Sequence, residues 1–246
     1  MRRLLLLALL AACGGGSSQN AEISNQAIKR VLLHAYVGSV SVTTHDSGTA
    51  VLEADTSEPN DLDKFMIFQV KDGVLTVRPV DSALEWETTI ELTLPELVEL
   101  EIVARKANVQ VEGTYKTLEV NTTIGDLDVH VERVGGGTIQ SNRGRVAFST
   151  QQTTLAGDLS CRSEMGALTT TLPAGYRGRI FLSTKTGTLK VPDHKDLRLT
   201  GGGDKRTALG SAGAPFSVKE IAEEQGAAVF RATTASGTVN FHLAEE

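Results

Sequence analysis

The chain has 246 residues, a length that suits one all-β domain or two small ones. Its charge and its aromatic content argue against nucleic acid as a partner. Its formal charge is −6, and only 4% of its residues are aromatic. A nucleic-acid binder neutralises phosphates with cations and stacks bases on aromatic rings, so we expect no nucleic acid among the partners of this chain.

The first twelve residues are predicted to be a secretory signal peptide. Arg2 and Arg3 give a positively charged start, an apolar stretch covers positions 4–10, and Ala11-Ala12 supplies the small residues of a cleavage site. The apolar stretch is far shorter than the roughly 18–20 residues needed to cross a bilayer as a helix. We therefore expect this segment to be removed rather than kept as a transmembrane anchor.

Cys13 is predicted to become the lipidated amino terminus. Leu10-Ala11-Ala12-Cys13 resembles the bacterial lipobox, in which diacylglycerol is attached to the Cys sulfur before cleavage between Ala12 and Cys13. An ordinary secretory signal followed by a coincidental Cys is the alternative. Acyl chains such as palmitate hold a protein on a membrane almost permanently, because each buried methylene contributes about 0.8 kcal/mol. Loss of Arg2 and Arg3 changes the formal charge from −6 to −8.

Glycine and serine dominate the residues after Cys13, which predicts a flexible tether from residue 13 to residue 27 and a folded domain from 28 to 246. Gly14, rather than Asp, follows the Cys, and in this the chain resembles lipoproteins that travel to the outer membrane of Gram-negative cells. The expected location is therefore the cell envelope, with the outer membrane as the expected anchoring site.

Strand signals run through the remainder of the chain. The segments Val37 to Val42 and Val109 to Val111 alternate apolar with small or polar residues. Phe65 to Val70 and Val74 to Val77 flank Lys71-Asp72-Gly73, and an Asp-Gly pair between two strands predicts a hairpin. One segment, Ser217 to Gln225, fits two turns of helix about as well as it fits a strand.

A unit of about twenty residues recurs from position 121 onward, with Ser, Thr or Asn, then Gly, then a short segment that alternates apolar and polar residues. Its glycines lie at 125, 144, 166 and 187, at steps of 19, 22 and 21 residues, and the last copy has its glycine at 237. The 50 residues from 187 to 237 leave room for two further units and an insertion around Gly201–Gly203. A second marker keeps the same phase at Leu94-Pro95, Leu172-Pro173 and Val191-Pro192.

This period, with strands and turns but no helices, predicts an all-β single-stranded β-helix, or β-solenoid. One unit has too few apolar residues to bury a core, whereas stacked units would align Ile124, Leu127 and Val129 with their counterparts in a continuous apolar column. The N-terminal hairpin is expected to cap one end, and the acidic Glu245-Glu246 to discourage strand pairing at the other. The alternative fold is a β-sandwich, whose strands would be spaced roughly 8–12 residues apart.

The repeat resembles the putative-adhesin family of bacterial envelope proteins, the β-solenoid domains grouped as domain of unknown function 4097 and related to the head domains of autotransporter adhesins. The resemblance covers roughly residues 28–243. The chain departs from the pattern at Ala107-Asn108, where a corner Gly is missing, and at an insertion over Gly201–Gly213. The resemblance implies the fold and an envelope location, but it implies no reaction, cofactor or catalytic residue.

Candidate chemical groups are few and scattered, with five His at positions 34, 45, 130, 194 and 242. Asp128, His130 and Glu132 alternate on one strand face, either as a metal cluster or as an ordinary solvated face. Two carboxylate pairs have a spacing that a glycosidase could use and that any polar strand face also shows: Asp126 with Asp128, and Glu85 with Glu87.

Cys161 is predicted to be a small buried hydrophobe, because the neighbouring sequence offers no His or cationic setting to activate a thiol. Threonines are expected to stack as ladders on a flat outer face, which either binds a glycan or protein or keeps the domain soluble. They are Thr122, Thr123, Thr153, Thr154, Thr169 to Thr171, Thr233 and Thr234.

The sequence contains no Gly-x-Ser-x-Gly elbow, P-loop or His-Glu-x-x-His motif, and we expect no metal or other cofactor. It therefore predicts a non-enzymatic, lipid-anchored envelope protein of adhesin-like type that binds a protein or a glycan. Two alternatives stay open: a polysaccharide-active enzyme built on a β-helix, and a structural partner of an envelope signalling complex.

Overall fold

The computed structural model describes residues 16–24, 27–58, 64–191, 197–201, 207–212 and 228–244, and this part of the chain is all-β. Its one helical element is a 3₁₀ turn at Asp81–Ala83. No helix within these ranges is long and apolar enough to cross a membrane. Predictions for the signal peptide, Cys13, His194, Ser217 to Gln225 and Glu245-Glu246 lie outside the described residues.

The described residues form eighteen strands, and most of them alternate buried with exposed positions because successive side chains of a strand point to opposite faces. The strands are β1 (Ser17–Ile23), β2 (Arg30–His45), β3 (Ala50–Thr56), β4 (Met66–Lys71), β5 (Val74–Pro79), β6 (Glu87–Pro95), β7 (Val98–Ile124), β8 (Leu127–Val134), β9 (Gly137–Arg143), β10 (Val146–Thr150), β11 (Leu159–Met165), β12 (Leu168–Leu172), β13 (Gly178–Thr186), β14 (Leu189–Lys190), β15 (Leu197–Gly201), β16 (Thr207–Ala212), β17 (Val229–Ser236) and β18 (Val239–Leu243).

Parallel pairing stacks the repeats in two ladders. The first ladder joins β7, β8, β10, β12, β18 and β14, and its aligned inward residues are Val109, Leu127, Val146, Leu168, Val239 and Leu189. The second joins β7, β9, β11, β17 and β13, with Val120, Ile139, Cys161, Ala232 and Leu182 in line. Each fully buried aliphatic side chain contributes roughly 1.5–3 kcal/mol, so the stacked columns supply the core that one repeat lacks.

The two ladders meet across a shared core. Phe148 of β10 stacks on Phe230 of β17, with ring centroids 5.7 Å apart. Cys161 is fully buried between the ladders, which confirms the prediction of a small buried hydrophobe, and burial raises the pKa of its thiol.

A row of glycines marks the corner where each repeat passes from the second ladder to the first. A Cβ placed on Gly144 would lie 2.1 Å from the carbonyl oxygen of Gly125, and a Cβ on Gly166 would lie equally close to that of Gly144. Gly144 has φ +153° and Gly166 has φ +152°, a backbone that residues with a Cβ rarely adopt. The serial glycines are thus required at the corner, as the repeat predicted.

We call this corner the glycine edge, and it extends to the start of the described chain. In spatial order it contains Gly16, Thr56, Thr88, Gly38, Ala107, Gly125, Gly144, Gly166, Gly237 and Gly187. Ala107 lies at a glycine position, as the sequence indicated, and its φ is not among the positive ones.

Part of the predicted tether is a strand, which corrects the proposed boundary at residue 28. Ser17–Ile23 pairs antiparallel with Ala50–Thr56 through its whole length. The amide of Gln19 both donates to Met66 O and accepts from Met66 N–H, at 2.9 Å each, and so joins β1 to β4. Main-chain pairing therefore orders a segment whose composition suggested flexibility.

The predicted hairpin is present at this end of the fold. β4 pairs antiparallel with β5 through a two-residue loop. Asp72 has φ 54° and Gly73 has φ 78°, the positive values that a tight hairpin turn requires.

The order of the last repeats differs from the order in the sequence. β17 pairs with both β11 and β13, and β18 pairs with both β12 and β14, so the C-terminal repeat lies between two repeats that are consecutive in the chain. The two described strands before it are antiparallel and not parallel units: β16 pairs antiparallel with β13, and β15 antiparallel with β16.

One expectation about side-chain direction was wrong and a second was right in part. Ile124 is 40% exposed, because the chain turns at Gly125 and leaves it outside the apolar column. Of the threonines expected on an outer face, three are buried because strand alternation points them inward: Thr122, Thr170 and Thr234. The other six are partly or fully exposed: Thr123, Thr153, Thr154, Thr169, Thr171 and Thr233.

Candidate binding groove

Short side chains on β2 form the floor of an open groove of about 380 Å³ on the outer face of β6, β2, β7 and β8. β2 lies between β6 and β7 and runs parallel to both. The outward residues Ser39 and Ser41 are shorter than several of their neighbours on each side. These neighbours are Thr89 and Glu91 on β6, and Asn108 and Gln110 on β7.

The groove wall next to the glycine edge is fixed by side-chain to main-chain hydrogen bonds. Asn108 Oδ1 accepts the N–H of Asp126 at 2.9 Å, and Asp126 Oδ1 accepts the N–H of Arg145 at 2.8 Å. The series stops at Arg145, because a guanidinium has no acceptor. One carboxylate oxygen of Asp126 is therefore occupied in holding the next repeat.

His130 lies beyond the groove on the same outer face. Its Nε2 is 2.8 Å from Asp128 Oδ1, and its Nδ1 is 2.5 Å from Ser149 Oγ. Glu132 makes no contact with it among the described residues, and in the described ranges no three His, Cys, Asp or Glu side chains are placed to hold a metal ion. The geometry thus gives the metal interpretation of Asp128, His130 and Glu132 no support.

The groove presents hydrogen-bonding groups that the described residues leave available. Ser41 and Glu91 make no side-chain hydrogen bond within the described part of the chain, although Ser39 donates to Thr89 at 3.3 Å. None of the lining residues is aromatic. A ligand would therefore be recognised by hydrogen bonds and charge, not by stacking on a ring.

The structure places the two predicted carboxylate pairs in different settings. Asp126 and Asp128 both line the groove, together with Arg145. Glu85 lies in the turn that precedes β6, and Glu87 is the first residue of that strand, so this pair is not a strand face as the spacing suggested.

Charged residues on the outer face of the second ladder are largely paired. Arg231 contacts Asp158 at 2.6 Å, and Arg162 contacts Glu164 at 3.2 Å. The Arg231 hydrogen bond and the N–H of Val229 hold the pKa of Asp158 below its usual range. These contacts join neighbouring segments and leave this face with fewer free groups than the groove.

Sequence reasoning did not identify Ser39, Ser41, Asn108 and Gln110 as neighbours. The two alternating segments that contain them were recognised as strands, but they are 69 residues apart and their parallel pairing leaves no local signal. The repeat period would have revealed this pairing only if position 107 were a glycine instead of an alanine.

Comparisons with known proteins give similarity in fold. No family model matches this sequence, and no curated protein matches it. The solved structure of a putative cell adhesion protein from Clostridium sporogenes is 13% identical, covers 93% of this chain and 100% of its own, and superposes with a TM-score of 0.51. A putative adhesin from Bacteroides fragilis is also 13% identical and covers 92% of this chain and 97% of its own, with a TM-score of 0.39. The chain therefore has a fold similar to that of the clostridial protein.

Proposed function

We propose that this chain is a non-enzymatic, lipid-anchored binding module of the bacterial cell envelope, adhesin-like in type, built on a single-stranded β-solenoid. The observation that carries the proposal is the groove, where polar side chains from β6, β2, β7 and β8 are held in parallel register with Ser41 and Glu91 unoccupied. A rigid polar surface of this kind suits recognition of a protein or a glycan.

The strand pairing supports a solenoid over a sandwich. From β7 to β12, neighbouring strands of each ladder are parallel and lie one repeat apart, as in Leu127 with Val146 and Val146 with Leu168. A sandwich would instead join neighbouring strands by antiparallel hairpins. The name of the clostridial neighbour, a putative cell adhesion protein, agrees with a surface-binding role.

Anchoring is supported by the sequence of the amino terminus. Lipidation at Cys13 is tested by mass spectrometry of the protein purified from membranes of an expressing bacterium. The mature chain should begin at Cys13 and carry diacylglycerol, and Cys13→Ser should abolish both the mass increase and the membrane fraction. A chain that is released in soluble form with Cys13 unmodified would refute the anchor.

The ligand is tested with the full chain on a glycan array and by crosslinking in envelope extracts. Substitution of two free groups of the groove, Ser41→Ala with Glu91→Ala, should weaken the retained glycan or protein at least tenfold. The matched control is Arg162→Ala with Glu164→Ala on the other ladder, where binding should be unchanged. Equal binding by both double variants would place recognition elsewhere.

A polysaccharide-active enzyme is the second candidate, because Asp126, Asp128 and Arg145 converge on one groove. The use of Asp126 to hold the Arg145 main chain argues for a structural role. Incubation with bacterial and host polysaccharides decides between the two: release of reducing ends or unsaturated products that Asp128→Asn abolishes would favour the enzyme.

A further inference from the structure

We propose that the glycine edge is the side of the domain that rests on the membrane, with its cations against anionic lipid headgroups. The inference depends on the anchor at Cys13 in the proposed function and adds an orientation to it: the domain lies along the bilayer instead of projecting from it.

The described chain enters the domain at one end of the glycine edge. Gly16 and Ser17 lie beside Thr56, Thr56 pairs with Thr88, and Thr88 with Gly38, so the described chain begins on the glycine edge. Cys13 precedes Gly16 by three residues, a distance of at most about 11 Å in a fully extended chain. An acyl chain on Cys13 would keep this end of the edge close to the headgroups.

The glycine edge is long enough for its direction to set the orientation of the domain on the membrane. It crosses ten strand positions from Gly16 to Gly187. At roughly 4.8 Å for each step between strands, the row extends for about 40 Å. A row of that length beside the anchor either lies along the membrane or projects from it, and its side chains distinguish the two orientations.

Apolar and cationic side chains alternate along the edge. Ile124 pairs in register with Arg143, and Arg143 with Met165, so a guanidinium lies between two exposed apolar side chains. Ile124 is 40% exposed and Met165 is 49% exposed, two of the four large hydrophobic residues most exposed in the described part of the chain. Lys106 precedes the corner residue of the preceding repeat. Apolar residues interleaved with cations are typical of surfaces that bind the membrane interface.

Some cations of the domain are held in ion pairs, and three cations of the edge are not. Arg30, Lys116, Arg162 and Arg231 each form an ion pair of 3.2 Å or shorter. The side chains of Lys106, Arg143 and Arg145 have no carboxylate partner within the described residues, and all three are exposed. They are therefore available to phosphate groups of a headgroup layer.

Two acidic residues next to Ile124, Arg143 and Met165 have hydrogen-bond or ion-pair partners within the domain. Asp126 accepts the main-chain N–H of Arg145, and Glu164 contacts Arg162. Closer to the anchor, the exposed Glu85 adjoins a cavity of about 200 Å³ that Tyr36, Arg105 and Lys106 also line. A phenol beside two cations suits the headgroup layer, where aromatic side chains with a polar tip are enriched.

The test places a polarity-sensitive fluorophore on the full, lipidated chain at Met165→Cys. Cys161 is fully buried and will not react. Leu97→Cys is the matched control, because Leu97 is 58% exposed and lies at the turn between β6 and β7, away from the glycine edge. Both proteins are reconstituted in vesicles of phosphatidylcholine with phosphatidylglycerol, and in phosphatidylcholine alone.

We expect a blue shift, and quenching by spin-labelled lipid, for the label at 165 and not for the label at 97. Lys106→Glu with Arg143→Glu should reduce the ratio of docked to free domain by at least about fivefold for each cation lost, because a cation near an anionic surface contributes about 1 kcal/mol. An equal shift on phosphatidylcholine alone would overturn the headgroup assignment.

Failure of the orientation and failure of the anchor give different results. A chain that floats with the vesicles while its label at 165 stays in water overturns the orientation alone. A chain that does not float overturns the anchor and, with it, the orientation. A blue shift that appears only after envelope proteins are added would assign the edge to a protein partner and overturn the membrane assignment.

Discussion

Ser141 Oγ donates a hydrogen bond of 2.9 Å to the carbonyl oxygen of Gly125, which lies on the glycine edge one repeat away. The same contact recurs from Ser163 to Gly144 at 3.0 Å and from Thr184 to Gly237 at 3.1 Å. The glycine lets the neighbouring carbonyl approach, and the buried hydroxyl satisfies that carbonyl. A single contact thus accounts for two positions of the repeat, the Ser or Thr and the Gly three residues later.

Gly144→Ala is expected to lower the free energy of unfolding by about 2–3 kcal/mol, because the new Cβ meets a main-chain oxygen and the backbone is strained for any residue other than glycine. Gly48→Ala is the control: no atom lies within 4 Å of its Cβ position, so we expect a change within about 0.5 kcal/mol. Urea unfolding measures both. Similar midpoints for the two variants would show that the edge tolerates a side chain.

Ser163→Ala tests the hydroxyl half of the contact. Ser163 is fully buried, so its loss leaves the carbonyl of Gly144 with one fewer donor and should cost about 1–2 kcal/mol. Ser160→Ala on the outer face of the same strand should change stability by less than about 0.5 kcal/mol. If the two variants were equally stable, the buried hydroxyl of Ser163 would contribute no more to stability than the Ser160 hydroxyl on the outer face.

Local chemistry explains which features of the fold could be predicted from the sequence. The hairpin at Asp72-Gly73 and the serial glycines each depend on a backbone conformation that few residues adopt, so the residue type reports the structure directly. Cys161 was predictable because a strand's alternation fixes which side chains point inward.

Features that depend on distant pairing could not be predicted. The strand at Ser17–Ile23 is polar, and its order depends on pairing with β3 and on the bonds from Gln19 to Met66. The position of β17 between β11 and β13 requires knowledge of which repeats are neighbours, and the sequence gives only their order in the chain. The groove could not be predicted for the same reason, since Ser41 and Gln110 become neighbours through a pairing of segments 69 residues apart.

Phe230→Ala is expected to destabilise the protein by about 3–5 kcal/mol, although the residue lies close to the C-terminus. Phe230 is fully buried and stacked on Phe148, and its strand lies between two others instead of closing an end. Phe181→Ala on the outer face of β13 should cost less than about 1 kcal/mol by the same urea assay. A small effect at Phe230 would place the last repeat at an end of the stack, as sequence order suggests.

Asp158 links the C-terminal repeat to the preceding part of the chain, and its charge should make stability depend on pH. Its carboxylate accepts from the Arg231 side chain and from Val229 N–H, and these contacts lower its pKa in the folded state. Because the folded pKa is the lower one, the contribution is fully present above the unfolded value of about 3.9 and is lost as the pH falls through the folded value.

We therefore expect Asp158→Asn to be less stable than the wild type near pH 7 and to approach it in acid, once the pH falls below the folded pKa of the wild-type carboxylate. The difference near pH 7 should not exceed about 1 kcal/mol, because the Asp158 side chain is 56% exposed and water screens the pair. Urea unfolding near pH 7 and in acid measures it, and Asp81→Asn, whose side chain is 90% exposed, should be as stable as the wild type near pH 7. A deficit of Asp158→Asn that persists in acid would mean that the carboxylate stabilises through its shape and hydrogen bonds and not through its charge.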